Sequence, residues 1–241
     1  MSDNIQPRGS DDASFAQPLH TPIKRRSFFM YAGATAGATA LVLAGCSKDS
    51  DTTTPSANLI DVGSGDVGVL NYAYALEQLE SAFYAQVLAG SYYAGAVAAE
   101  KSIFSDIAAH EKIHADFFKT AITGAAPTQI IKALEPDFSK INFGDRASVL
   151  GAAKLFEDTG VSAYNGAARY ITTDAYLTLA GKIVSVEARH AALIRDLILN
   201  GTFSDDLTAD ALEKSAKPQD VATAVNAYLK EGSKISATKL V

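Results

Sequence analysis

Two residue spacings recur along the chain in the same order. Glu77 is followed seven residues later by Tyr84, and Glu111 three residues later by His114; the same pair returns as Glu157 with Tyr164 and Glu187 with His190. Positions i and i+3 share a face of an α-helix, and seven residues make almost two full turns. Each pair therefore lies on one stripe of a helix. A chain carrying this repeat is expected to fold as two similar halves, each built from two helices.

The surrounding residues fit that expectation. Asp66 is placed to cap a first helix that runs through VGVLNYAYALEQLESAFYAQVLA and stops at Gly90. Leu76, Leu79, Phe83 and Val87 recur in it at three- and four-residue steps, the period of a helix with one apolar face. A second helix is predicted over residues 98–122 with Gly124 as its stop, a third over 146–171 with Asp145 as its cap, and a fourth over 174–200 closed by Gly201. Between the second and third lies GAAPTQIIKALEPDFSKINFGD, long for a link between antiparallel neighbours and interrupted by two prolines. Hairpin, long crossover, hairpin is the connectivity of a ferritin-like four-helix bundle. The predicted fold class is thus all-α, with a short further helix over residues 219–229 whose place the sequence leaves open.

The repeated acids and histidines fall inside these helices. Four carboxylates and two imidazoles facing one bundle core cannot stay uncompensated, because a buried charge without a partner is very costly. Two divalent cations would neutralise them. Glu77, Glu111, His114, Glu157, Glu187 and His190 are accordingly the candidate metal ligands, one Glu from each of two helices and ExxH from each of the others. Mostly oxygen donors with one imidazole per ion suit iron or manganese better than copper or zinc. Tyr84 and Tyr164 are read either as outer hydrogen-bond partners of ligand carboxylates or as core aromatics with a polar tip. Glu77 is preferred to Glu80 because Glu80 has Gly160 as its counterpart in the second half; Glu80 is left as a surface acid or an outer contact.

Residues 110–114, HEKIH, also match the signature of zinc proteases, in which His at i and i+4 bind zinc and the Glu between them is the base. The equivalent stretch in the second half reads VEARH, with Val186 in the place of His110. One half dispenses with that histidine, so His110 is read as a surface or outer-sphere residue.

The stretches LNYAYALEQLESAFYAQVL, AAHEKIHADFF, LFEDTGVSAYNGAARY and VEARHAALIRDLI resemble the four helices of ferritin-like domain proteins, among them the bacterial and fungal desiccation-related proteins. The resemblance implies a dinuclear iron or manganese centre, with Glu77 and Glu157 as terminal carboxylates, Glu111 and Glu187 as bridging ones, and His114 and His190 each on one ion. It supplies no substrate. Two such ions can hold O2 or peroxide between them and share the electrons. The expected function is therefore an oxidoreductase of ferroxidase or peroxide-scavenging type, acting on Fe(II), O2 or peroxide. The alternative is a non-catalytic, metal-stabilised scaffold for desiccation protection or partner binding.

The N-terminal segment sets the expected location. Residues 24–46 read KRRSFFMYAGATAGATALVLAGC, similar to a twin-arginine export signal joined to a lipoprotein signal. That resemblance implies cleavage before Cys46, lipid on its thiol, and a periplasmic or cell-surface domain tethered to a membrane. The other reading is an uncleaved anchor, whose apolar stretch barely spans a bilayer. Residues 47–65, rich in Ser, Thr, Asp and Gly, are expected to form a flexible tether. The division predicted is residues 1–45 signal peptide, 46–65 linker, 66–203 ferritin-like domain and 204–241 C-terminal extension. Cys46 is the single cysteine, which rules out an intramolecular disulfide or a Cys-rich metal cluster. A formal charge of -6 leaves no basic surface for nucleic acid. Homo-oligomers stay open, although a lipid tether fits poorly with a closed iron-storage cage.

Overall fold

A computed structural model describes residues 59–205 and 207–240. The proposed signal segment, Cys46 and most of the proposed linker lie outside the described residues. Four long helices form the body of the domain. Helix α1 (Gly65–Ala89) is followed by a five-residue helix, α2 (Ser91–Gly95), and by α3 (Ala98–Ala125), which packs back along α1. Helices α4 (Arg146–Ala167) and α5 (Asp174–Ile198) form the second hairpin. The third predicted helix stops at Ala167 because the chain tightens there into a 3-10 turn, Ala168–Tyr170.

The helix starts show which local signals hold. Asp145 caps α4 as expected, its side chain accepting a hydrogen bond from the Ser148 backbone N–H at 2.7 Å. Asp66 does not cap α1. Ser64 holds that position, and Asp66, already in the first turn, accepts from the backbone N–H groups of Thr172 and Thr173 at 2.7 and 3.0 Å. The acid ties the start of α1 to the α4–α5 link instead of closing its own helix.

The crossover between α3 and α4 runs over the bundle and contributes to its core. Ile131 is buried, and Phe138 and Phe143 pack against Phe83 with ring centroids 5.9 Å away. Asn71, buried in α1, organises this layer. Its Nδ2 donates to the carbonyls of Val62 and Gln129 at 3.1 and 2.8 Å, and its Oδ1 accepts from the Ile131 N–H at 3.1 Å. Three backbone groups of otherwise irregular chain are satisfied by one side chain, as burial requires.

The C-terminal extension is part of the same fold. Helix α6 (Pro218–Val225) begins with proline, whose missing N–H costs nothing in the first turn, and buries Val221, Ala222 and Val225. The segment before it lies directly on α4 at Gly166, where an added Cβ would stand 1.7 Å from the Ala216 carbonyl oxygen. Two short parallel strands, β1 (Ile60–Asp61) and β2 (Ile235–Ser236), then join the two ends of the described chain. Val62 beside β1 is buried as well. The folded domain therefore starts before residue 66, inside the 46–65 segment predicted as a linker. No helix among the described residues is long and apolar enough to cross a membrane.

Candidate metal centre

The six predicted ligands come together at the middle of the bundle. Glu77 stands on α1, Glu111 and His114 on α3, Glu157 on α4, and Glu187 and His190 on α5. All four carboxylates are completely buried, at 0% exposure, and His190 is 4% exposed. The helical spacing turns each Glu–His pair to one side of its helix, and the buried rings of Phe104 and Phe118 pack against Tyr84 and Tyr164 with centroids 6.3 and 6.5 Å away.

The distances divide the cluster into two overlapping groups. His114 Nδ1 lies 2.8 Å from Glu187 Oε1, 3.3 Å from Glu77 Oε2 and 3.5 Å from Glu111 Oε2. His190 Nδ1 lies 2.8 Å from Glu111 Oε1, 3.5 Å from Glu157 Oε2 and 3.7 Å from Glu187 Oε2. Glu111 and Glu187 each send one oxygen to one group and the other oxygen to the second. Glu77 and Glu157 each belong to a single group. Within a group, one donor atom from each residue falls within 4.8 Å of all the others.

These approaches are close without being hydrogen bonds. His114 Nδ1, His190 Nδ1, Glu77 Oε2, Glu157 Oε2 and both oxygens of Glu111 and Glu187 are buried and find no partner in hydrogen-bond geometry. Buried polar atoms are normally satisfied, so eight orphans converging in one place call for a shared partner. Donors held about 2.1 Å from a common ion lie roughly 3–4 Å apart, which matches the spacings within each group. The residues present therefore fit metal ions, and each group can hold one.

The electrostatics carry the same message. Burial pushes the Glu77 carboxyl well above the usual range, with Glu187 and Glu111 adding to it against the pull of His114. Burial likewise raises Glu157 to about 8, against the pull of His190. Burial also works against ionised Glu111, but His114 and His190 outweigh it and hold that carboxyl at about 2. For both imidazoles burial acts downward, yet the carboxylates around them raise each to about 12. With no ion bound, protons on the two histidines take the place of the missing positive charge.

The tyrosines bind across the halves. Tyr84 donates its hydroxyl to Glu157 Oε1 and Tyr164 donates to Glu77 Oε1, so each holds the carboxylate of the other half. Spacing along one helix places Tyr84 beside Glu77; the contact it makes depends on how α1 and α4 face each other. Tyr84→Phe and Tyr164→Phe are each expected to cost about 0.5–1.5 kcal/mol in urea unfolding of the metal-free protein, the usual value for a hydrogen bond between neutral groups. Losses below about 0.5 kcal/mol in both would show that these hydroxyls do not hold the carboxylates.

His110 is exposed on its own helix, as expected, but its Nδ1 reaches 2.9 Å from Nε2 of His190. It thus meets the far side of a candidate ligand ring. Arg195, buried on α5, is paired at 2.6 Å with Asp158, the residue after Glu157; the repeat puts Lys119 and Gln78 at the corresponding positions of the other half. Glu80 is buried at 4% exposure, which removes the surface-acid alternative and leaves that of an outer contact. No curated protein matches the chain. The family model of the ferritin-like domain matches residues 65–200, the span that holds all four long helices and both donor groups, and the chain belongs to that family.

Proposed function

We propose that the two donor groups form a dinuclear iron or manganese centre acting on Fe(II), O2 or peroxide, in an exported protein of the desiccation-related subfamily. The observation that carries this reading is the set of eight buried, unpartnered polar atoms shared between two histidines and four carboxylates. Four negative charges balance two divalent ions, and an oxygen-rich set with one imidazole per ion favours iron or manganese. Such a pair supplies electrons to a bound oxygen species. The chain's own residues would divide the remaining work. Glu111 and Glu187 would contribute to both ions and Glu77 and Glu157 to one each, while the two tyrosines hold those last two carboxylates in place. The twin-arginine and lipoprotein features around Arg25, Arg26 and Cys46 support an envelope location, since that route exports proteins already folded.

Elemental analysis of the exported protein, purified without added metal, followed by Fe(II)/O2 and peroxide consumption on the same sample, tests the proposal. Two iron or manganese ions per chain and turnover are expected. A Glu111→Ala/His114→Ala variant that consumes either substrate as fast as the parent would overturn it. The complete burial of the four carboxylates favours a second reading, in which the ions only staple the helices together. Loaded protein that unfolds on chelation but shows no turnover would select that scaffold role.

A further inference from the structure

Beside the metal donors, but sharing none of them, the α4–α5 hairpin carries a charged recess. It is about 390 Å3 in volume, the size of a small-molecule site. Lys154, Asp158, Thr159 and Ser162 line it from α4, Arg195 from α5, and Glu213 and Lys214 from the segment before α6. Lys154, Asp158 and Ser162 follow one another at four-residue steps, so they share one face of α4. The opposite wall is held in place. Ala216 donates its N–H to the Ser162 carbonyl at 2.9 Å, and Asn165 Nδ2 donates to the Lys214 carbonyl at 3.2 Å. The recess is therefore built into the fold before any ligand arrives.

Its charges do not close on themselves. Asp158 meets two cations at once, Lys154 Nζ at 2.6 Å from Oδ2 and Arg195 Nη2 at 2.6 Å from Oδ1. One carboxylate neutralises only one of them. Glu213 and Lys214 add one charge of each sign, so a surplus cation remains in a chain whose formal charge is -6. Arg195 is 4% exposed, and its Nε is buried with no hydrogen-bond partner among the described residues. A guanidinium only donates, and a buried donor left unmade is costly. A negatively charged acceptor answers both the open N–H and the surplus cation. The repeat sets Gln78 and Lys119 at the positions of Asp158 and Arg195 in the first half. There Gln78 Oε1 accepts from the Leu134 backbone N–H at 2.9 Å and Lys119 is exposed. One half thus assembles its metal donors without such a charge network, so holding the helices together does not account for the other.

We propose that this recess binds a phosphate group, with Arg195 Nε, the Lys154 ammonium and the Thr159 hydroxyl as donors. A phosphate presents several acceptor oxygens and pairs with a guanidinium through more than one of them, which suits donors arriving from two helices. The same group can come as inorganic phosphate or on a phospholipid, whose apolar part would meet exposed Leu155 in the recess and exposed Leu212 next to Glu213.

Inorganic phosphate and the short-chain lipid dihexanoylphosphatidylglycerol are titrated calorimetrically into the full chain, with and without a chelator. One ligand per chain is expected, unchanged by the chelator because the recess shares no residue with the metal donor groups. Lys154→Gln should weaken binding about tenfold, the loss of one charge-assisted contact. Asp158→Asn, which removes the competing carboxylate, should strengthen it. A purely structural ion-pair network would not give this opposite pair. A lipid that binds more tightly than inorganic phosphate, and responds to both variants, identifies the group as a headgroup; binding of inorganic phosphate alone identifies a free phosphate compound. Absence of binding by both ligands in the parent, or affinities that both variants leave unchanged, overturns the proposal.

Discussion

Glu111→Ala is expected to empty both halves of the centre, whereas Glu77→Ala is expected to empty only the half beside His114. Glu111 places Oε2 at 3.5 Å from His114 Nδ1 and Oε1 at 2.8 Å from His190 Nδ1, so both groups lose a donor together. Glu77 approaches His114 alone of the two histidines, at 3.3 Å. Metal analysis after dialysis reads the difference directly. Stability should follow occupancy, because a ligand present at a thousand times its dissociation constant stabilises the folded state by about 4 kcal/mol. For a domain of this size each kcal/mol moves the melting temperature by roughly 2–4 °C, so each lost ion should lower it by about 8–16 °C. A Glu111→Ala protein that retains a full ion beside either histidine would contradict the bridging role.

The second large effect is a divergence with pH between loaded and metal-free protein. Without ions, folded Glu157 keeps its proton until about pH 8, while the unfolded chain releases it near the ordinary value of 4.5. A group raised in this way contributes stability that is present below its unfolded pKa and lost as the pH climbs through its folded one. The histidines act in the same direction: raised from 6.5 to about 12, their contribution is complete below pH 6.5 and fades towards pH 12. Glu111, depressed to about 2, contributes above pH 4.5 and loses that contribution as the pH falls towards 2. Between pH 5 and 8 the metal-free protein should therefore weaken steadily. Metal binding must displace the same protons, so affinity should rise over that window by about tenfold per pH unit for each proton released. Melting curves with a chelator and with Mn(II), taken at each pH unit from 5 to 8, should move apart; parallel curves would refute the assignment of these protons.

What could be read in advance is what a single helix dictates. The spacing of Glu111 with His114 and of Glu187 with His190 sets which side of the helix each occupies whatever the rest of the chain does, and the four long helices follow from their apolar periods. The contacts made between helices were out of reach. Tyr84 lies on the stripe of Glu77, but its hydroxyl finds Glu157, because the facing of α1 and α4 decides that partner. His110 is read as a surface or outer-sphere residue because its counterpart is Val186, but its approach to His190 depends on the separation of α3 and α5. Glu80 is set aside as a ligand by symmetry and read as a surface acid or outer contact, yet it is buried, with its Oε1 3.0 Å from where a Cβ at Gly160 would stand. Asp66 had the right chemistry for a cap and was drawn off by two backbone N–H groups more than a hundred residues away. The strand pair escaped notice because two-residue strands carry no measurable period and their partners are at opposite ends of the domain.

That strand pair has a mechanical consequence. Ile60 donates its N–H to Lys234 at 2.7 Å and Val62 donates to Ser236 at 3.0 Å, with Lys239 gripping Asp61 at 2.6 Å. A pull arriving through Leu59 would meet this short ladder first and be passed sideways into the C-terminal segment, sparing the axis of α1. The residues that gather around the ions would then keep their spacing while the front of the domain bears the load.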